Sequence, residues 1–200
     1  MKKLLIILLL LSLALAGYVY YGYRTKVTRY DLPNGELKWS NVKPENAKMC
    51  LPAAFTDTNN HIIGAYRIDG KTYGSNGSRM GKVSLKNDSF VVTYNWRSDN
   101  GFQQHVLVLD SKPKRFNKDT HRHTRRALCK KDGKAFILQS NYPMTMTTFA
   151  NYCSRYCDNA VYLDMGEYGY GYIKSGLFKR PLYIWGVFTK NKQTNWLYIE

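Results

Sequence analysis

Acidic residues are scarce in this chain of 200 residues: 14 Asp and Glu face 30 Lys and Arg, giving a formal net charge of +16. That deficit leaves a surface that attracts anions, among them phosphodiesters, anionic glycans, lipid headgroups and nucleic acid. Long Pro, Gly or Ser tracts and internal repeats are absent, which argues against disorder beyond the ends. Cysteine is sparse, at Cys50, Cys129, Cys153 and Cys157, with no paired C-x-x-C element and no well-placed histidine, so zinc is disfavoured and no metal is expected. No recognised nucleic-acid motif is present, and no nucleic-acid partner is expected. No residue pattern calls for a cofactor.

What is present begins with the compartment. Lys2 and Lys3 precede an apolar run from Leu4 to Ala16 that ends Ala14-Leu15-Ala16, a signal-peptide pattern with a small-x-small cleavage site. Gly17 to Tyr23 keeps the segment weakly apolar to roughly 20 residues, the length of a bilayer span, so an uncleaved anchor is the alternative. Either way the lysines stay inside and the rest lies outside the cytoplasm, with membrane attachment only if the leader is uncut. No Cys follows the small residues, against a lipid anchor.

The expected organisation is a leader over 1–23, a lead-in segment over 24–45 and one domain over 46–200. About 175 residues suffice for one domain with a real core, and 17 Tyr, 8 Phe and 4 Trp supply apolar surface for it. The even cysteine count in an oxidising compartment leaves two expectations, disulfides with three pairings open or free structural cysteines.

Strands are expected at 62–68 and 71–73 around Asp69-Gly70, at 82–85, 89–96 and 105–109, and at 126–130 and 134–139 around Asp132-Gly133. Others are expected at 160–163, 182–188 and 196–199. Pro33-Asn34-Gly35 marks a turn between two short extended pieces. Phe149, Tyr152, Cys153 and Tyr156 recur at helical spacing, so a helix over 148–156 capped by Thr145 or Thr147 is expected. Many strands and few helices predict an α+β fold with a mixed or mostly antiparallel sheet.

Asp164 ends the 160–163 strand, and a glycine-rich turn with Glu167 follows it. That pattern presents carboxylates at a cleft rim for acid or base work, although Gly and Tyr alternation also marks an ordinary turn into an edge strand. The stretch from Lys112 to Lys134 holds ten Lys or Arg against Asp119 and Asp132, and reads either as a solvated loop or as an anion patch. His121 and His123 would share one face of an extended segment, as a metal or phosphate contact or as a solvated loop. His105 lies near the same basic region.

The order of landmarks from Asn46 to Tyr172 resembles the phosphodiester glycosidase domain family, which includes the lysosomal uncovering enzyme and many exported bacterial proteins associated with exopolysaccharide. Family members show an A-x-N-G-G-F-like loop, a G-x-Y hairpin, a G-N-F-x-L-K-x-N stretch, an R-x-A strand before D-G, and N-A-L-Y-L-D-G-G-x-S. Here these fall on Ala47 to Phe55, Gly64 to Lys71, Gly81 to Asn87, Arg125-Arg126-Ala127 before Asp132-Gly133, and Asn159 to Gly166. The resemblance implies an extracytoplasmic hydrolase that cleaves a sugar-1-phosphodiester within an anionic or phosphate-containing glycan. It implies Asp164 as catalytic carboxylate, with Glu167 beside it, and Arg125, Asn87, Gly166 and Tyr168 on the substrate. An arginine fork neutralises a phosphodiester while a carboxylate serves the anomeric centre.

The chain departs from the pattern at several of these places. The loop asparagine falls on Leu51, its glycines on Pro52 and Ala53, the first glycine after the aspartate on Met165, and the serine on Tyr168. Amide donors are lost and side-chain bulk is added where a ligand enters. Two expectations follow: a hydrolase with an altered substrate, or a noncatalytic member that binds an anionic envelope polysaccharide.

Overall fold

The computed structural model of the chain describes residues 2–24, 26–77, 80–117, 119–165, 170–175, 178–182 and 194–200. In chain order its elements are α1 (Lys2–Arg24), β1 (Val27–Asp31), β2 (Leu37–Ser40), β3 (Met49–Pro52), β4 (Tyr66–Ile68), β5 (Lys71–Tyr73), β6 (Met80–Lys86), β7 (Ser89–Thr93) and β8 (Gly101–Leu109). There follow β9 (Lys112–Pro113), β10 (Arg126–Lys131), β11 (Lys134–Ser140), α2 (Met146–Cys153), β12 (Asn159–Leu163), β13 (Tyr172–Ser175), β14 (Phe178–Pro181) and β15 (Trp196–Ile199). Every strand pairing among the described residues is antiparallel, so the α+β expectation holds in its mostly antiparallel form.

Local chemistry sets the hairpins. Asp69-Gly70 and Asp132-Gly133 both adopt left-handed backbone at each central residue, with φ of 47° and 77°, then 51° and 79°. That is the twist a two-residue antiparallel turn needs. Thr145 caps α2, its side chain accepting from the Thr148 N–H, and the helix runs Met146–Cys153, two residues earlier at its start than the apolar spacing implies.

Two sheets result. The larger runs β1-β11-β10-β12-β8-β4-β5, with β6 and β9 also paired to β8 and β7 to β6; the smaller runs β14-β13-β3-β15-β2. Period-two alternation divides the large sheet's side chains between two cores. Leu128, Ile137, Val161 and Leu163 face the small sheet, meeting Leu51, Leu197 and Ile199. Ala127, Cys129, Leu138 and Tyr162 face the opposite way, where Phe149, Ala150 and Cys153 of α2 cover them. The two extended pieces around Pro33-Asn34-Gly35 are β1 and β2, and they separate into different sheets, β1 on β11 and β2 on β15.

The described leucines and isoleucines of α1 from Ile6 to Leu15 are exposed. Among the described residues, no helix is long and apolar enough to cross a membrane. The expected strand over 182–188 lies outside the described residues except for its first residue, Leu182, which is buried.

Gly101 permits the closest approach in the large sheet: a Cβ there would come within 2.1 Å of the Val83 carbonyl oxygen, a backbone atom that cannot swing aside. Gly101→Ala should therefore cost about 1–3 kcal/mol through overpacking. A urea midpoint unchanged from the parent chain would show that the strands part there at no cost.

All four cysteines are free and buried. Cys129, Cys153 and Cys157 lie in the α2 core, whereas Cys50 lies in a separate aromatic cluster with Tyr172 and Trp196. Each of the three complete pairings would join Cys50 to a member of the other cluster, so none is compatible with this fold. Burial pushes the Cys50 thiol and the Tyr170 and Tyr172 phenols up to about 12, and raises the Cys129 thiol as well. In the unfolded chain these groups release their protons first, near 9.0 for the thiols and 10.0 for the phenols. Their contribution to stability is complete below the unfolded values and is lost as pH rises toward the folded ones. Denaturant midpoints should fall steadily from pH 9 upward, and Cys50→Ala should flatten the first part of that fall. A flat profile to pH 11 would contradict it.

Candidate active site

The ladder between β10 and β12 places Arg126 opposite Leu163, so Arg125 and Asp164 follow at the same end of neighbouring strands. By alternation Arg125 and Tyr162 belong to the α2 side, and the Arg125 guanidinium carbon lies 5.7 Å from the centre of the Tyr162 ring. Burial raises the Tyr162 phenol; the charge of Arg125 opposes that shift and the charge of Asp164 adds to it. Tyr162 thus stands in the fields of both residues that the motif resemblance singles out.

Arg125 is 4 % exposed, and much of its fork is engaged. Nε donates to the Met144 carbonyl at 2.8 Å, and Nη2 donates to the His121 carbonyl at 2.8 Å and to the Asp119 carboxylate at 3.3 Å. Asp119 also accepts from the Met146 N–H at the start of α2. The basic stretch is therefore partly an internal network: Arg125 and Arg126 are buried, while Lys114, Arg115 and Arg122 are exposed.

Arg126 points to the other face and is fully buried. Its Nε donates to Gln139 Oε1 at 3.0 Å and its Nη1 to the Tyr170 carbonyl at 2.6 Å. Gly171, at φ 154°, allows that approach, since a Cβ there would lie 2.9 Å from Nη1. Burial lowers the Arg126 guanidinium to about 10, with Tyr30, Tyr162 and Asp164 pulling it back up. Because this cation is held below its ordinary value, it adds stability as pH rises above 10, and the window between pH 9 and 10 belongs to the buried thiols.

Asp164 is tied to the loop after β3: its N–H donates to the Ala53 carbonyl at 2.9 Å, and Gln104 Nε2 reaches the same oxygen at 3.1 Å. The buried Asn195 side chain brackets Ala54, accepting its N–H at 2.7 Å and donating to its carbonyl at 3.0 Å. Phe55, next in the loop, packs on Tyr162 at 5.3 Å and on His105 at 5.5 Å between ring centres. Arg125, Tyr162, Asp164 and the 53–55 loop thus form one constellation.

Other expected site residues lie elsewhere. Asn87 is in the exposed turn between β6 and β7, at φ 54°, with its carbonyl accepting the Leu37 N–H, and β8 separates β6 from β12. Gly166, Glu167 and Tyr168 lie outside the described residues. The rings of His121 and His123 do share a face, 6.2 Å apart and 28° from parallel. Among the described residues no group of three or more His, Cys, Asp or Glu could hold a metal. Tyr162 lies inside the Asn159 to Gly166 motif but reads there as a strand position without a role, and Asp119 reads as a lone counter-charge in the basic stretch.

No protein-family profile matches the chain, and no curated protein sequence matches it. Among solved structures, it is similar to the catalytic domain of zebrafish N-acetylglucosamine-1-phosphodiester alpha-N-acetylglucosaminidase, auto-inhibited by its pro-peptide. The TM-score is 0.53 at 12 % identity, covering 86 % of this chain and 81 % of that one. The two share a fold. That zebrafish domain is a phosphodiester glycosidase by name, and the likeness to it is one of architecture.

Proposed function

We propose that the chain is an exported glycan-processing protein that hydrolyses a sugar-1-phosphodiester, with Asp164 as the catalytic carboxylate. The observation that carries this reading is the meeting of Asp164, Tyr162 and Arg125 beside the 53–55 loop, in a fold shared with a phosphodiester glycosidase. Asp164 serves the anomeric centre or its proton traffic. Arg125 neutralises the phosphodiester with the part of its fork that Met144, His121 and Asp119 leave available, and Tyr162 stands in the field of both Arg125 and Asp164. The motif resemblance adds Glu167, Gly166 and Tyr168 to the site. The substrate is an anionic or phosphate-containing glycan of the envelope, in line with the net charge of +16. The protein acts outside the cytoplasm, periplasmic or secreted when the leader is cut and membrane-anchored when it is not.

A second reading, a noncatalytic binder of anionic polysaccharide, is favoured by a specific observation: the fork of Arg125 is largely spent on Met144, His121 and Asp119. The two readings separate in one assay. Release of free sugar from a sugar-1-phosphodiester, lost in Asp164→Ala, supports the enzyme. Glycan binding without turnover, unaffected by that substitution, supports the binder and ends the enzymatic reading.

A further inference from the structure

Beside this constellation, and sharing Asp119, His121 and Met146 with the network around Arg125, opens a cavity of about 710 Å³. That size is within the range of small-molecule sites. Its floor is apolar: Met80, Val92, Val106, Leu109, Phe116 and Met146 line it, and all six are only half-buried. Hydrocarbon left partly wet carries a free-energy penalty that an apolar occupant removes. Two of the six are methionines, whose unbranched side chains adapt to an irregular tail.

The rim has the opposite character. Lys114 and Arg115 line it, both are exposed, and neither forms an ion pair among the described residues. The one carboxylate in the wall, Asp119, is held by Arg125 and the Met146 N–H, so it does not neutralise them. His121 lies beside it on the same rim. A largely apolar lining beside cations that have no ion pair among the described residues suits a hydrocarbon tail carrying an anionic head.

The geometry points to a binding site for a single-chain amphiphile with a phosphate head, its tail on the Met80, Val106 and Phe116 floor and its head between Lys114 and Arg115. The site is separate from Asp164, and it stands whether or not that residue turns over a substrate. A free sugar could use the polar part of the lining, Thr93, Asn117 and His121, but would leave the Met80, Val92, Val106 and Leu109 hydrocarbon uncovered. A phosphate alone leaves the floor wet.

The test titrates the full chain with dodecyl phosphate below its micellar concentration, with inorganic phosphate and dodecyl maltoside as partial probes. Amide hydrogen exchange locates the bound molecule. Dodecyl phosphate should protect β6, β8 and residues 114–117, and should bind at least tenfold more tightly than either partial probe. The exposed double variant Lys114→Glu, Arg115→Glu should weaken it at least tenfold while folding as the parent does. Protection confined to α1, whose exposed leucines could take up any detergent, would overturn the proposal. So would inorganic phosphate binding as tightly as dodecyl phosphate, or a double variant that binds unchanged.

Discussion

An Asp119→Ala chain is expected to lose about 3–5 kcal/mol of folding stability, because it strands a buried cation. Arg125 and Asp119 have side chains only 5 % and 17 % exposed, and Nη2 meets the carboxylate at 3.3 Å. Water cannot readily replace the lost anion, so the desolvation of the guanidinium stands uncompensated. A second loss adds to it: the same carboxylate accepts the Met146 N–H, one of the donors that a helix start leaves without a partner inside the helix. Asp119→Asn keeps an acceptor at both places and removes only the charge, so its loss should be clearly smaller. Chemical denaturation of both variants decides the matter. A loss below about 1 kcal/mol in the alanine variant would class the pair with solvent-screened surface bridges.

Much of the sheet framework could be read in advance because its signals are local. The Asp-Gly turns, the Thr145 cap and the apolar run of β12 each depend on neighbours in sequence, and each lies where those neighbours dictate. Nonlocal compensation is what hides the rest. The first half of β8 contains Gln103 and Gln104, polar residues that pattern reading places in water, yet both are buried. Gln103 Oε1 takes the Ala65 and Gly77 N–H groups, and Gln104 Nε2 reaches Ala53, so burial leaves these amide atoms satisfied. β3 escapes for a related reason. Its residues, Met49 to Pro52, are buried on both faces, so no alternation marks it as a strand.

The site divides in the same manner. An acid directly after a buried strand is a local pattern, and Asp164 carries it. Asn87 also fits a linear motif, but its place in the fold answers to backbone chemistry: a left-handed turn residue between two strands, where asparagine is tolerated. The pairing of Arg125 with Asp119 spans six residues of a stretch that composition alone describes as basic. Only the fold turns that stretch inward, by docking Phe116 on Thr147 and His123 on Met144. Charge counting therefore overstates how much of the stretch is free to meet an anion, and the described residues that are exposed, Lys112, Lys114, Arg115, Arg122, Lys131 and Lys134, are the part that can.

The Asp164→Asn variant should fold as the parent chain and lose about 10²–10⁴-fold in kcat toward a sugar-1-phosphodiester, the range for removing a positioned acid or base. Folding should persist because asparagine retains the backbone bond from this residue's N–H to the Ala53 carbonyl, with a modest drop in stability from losing the charge that supports the buried Arg126 cation. The amide matches the carboxylate in size, and Arg126 keeps its bonds to Gln139 and Tyr170. KM should change little, since the phosphate is met by cations and the carboxylate acts as charge develops at the anomeric carbon; a fall in kcat and in kcat/KM together is the signature of that timing. Tyr162→Phe should give a smaller loss, because it removes a hydroxyl standing in the fields of Arg125 and Asp164 without removing either charge. Equal turnover in the parent and Asp164→Asn chains would take the chemistry away from the end of β12, leaving Arg125 and its neighbours as a structural network that lines a binding surface.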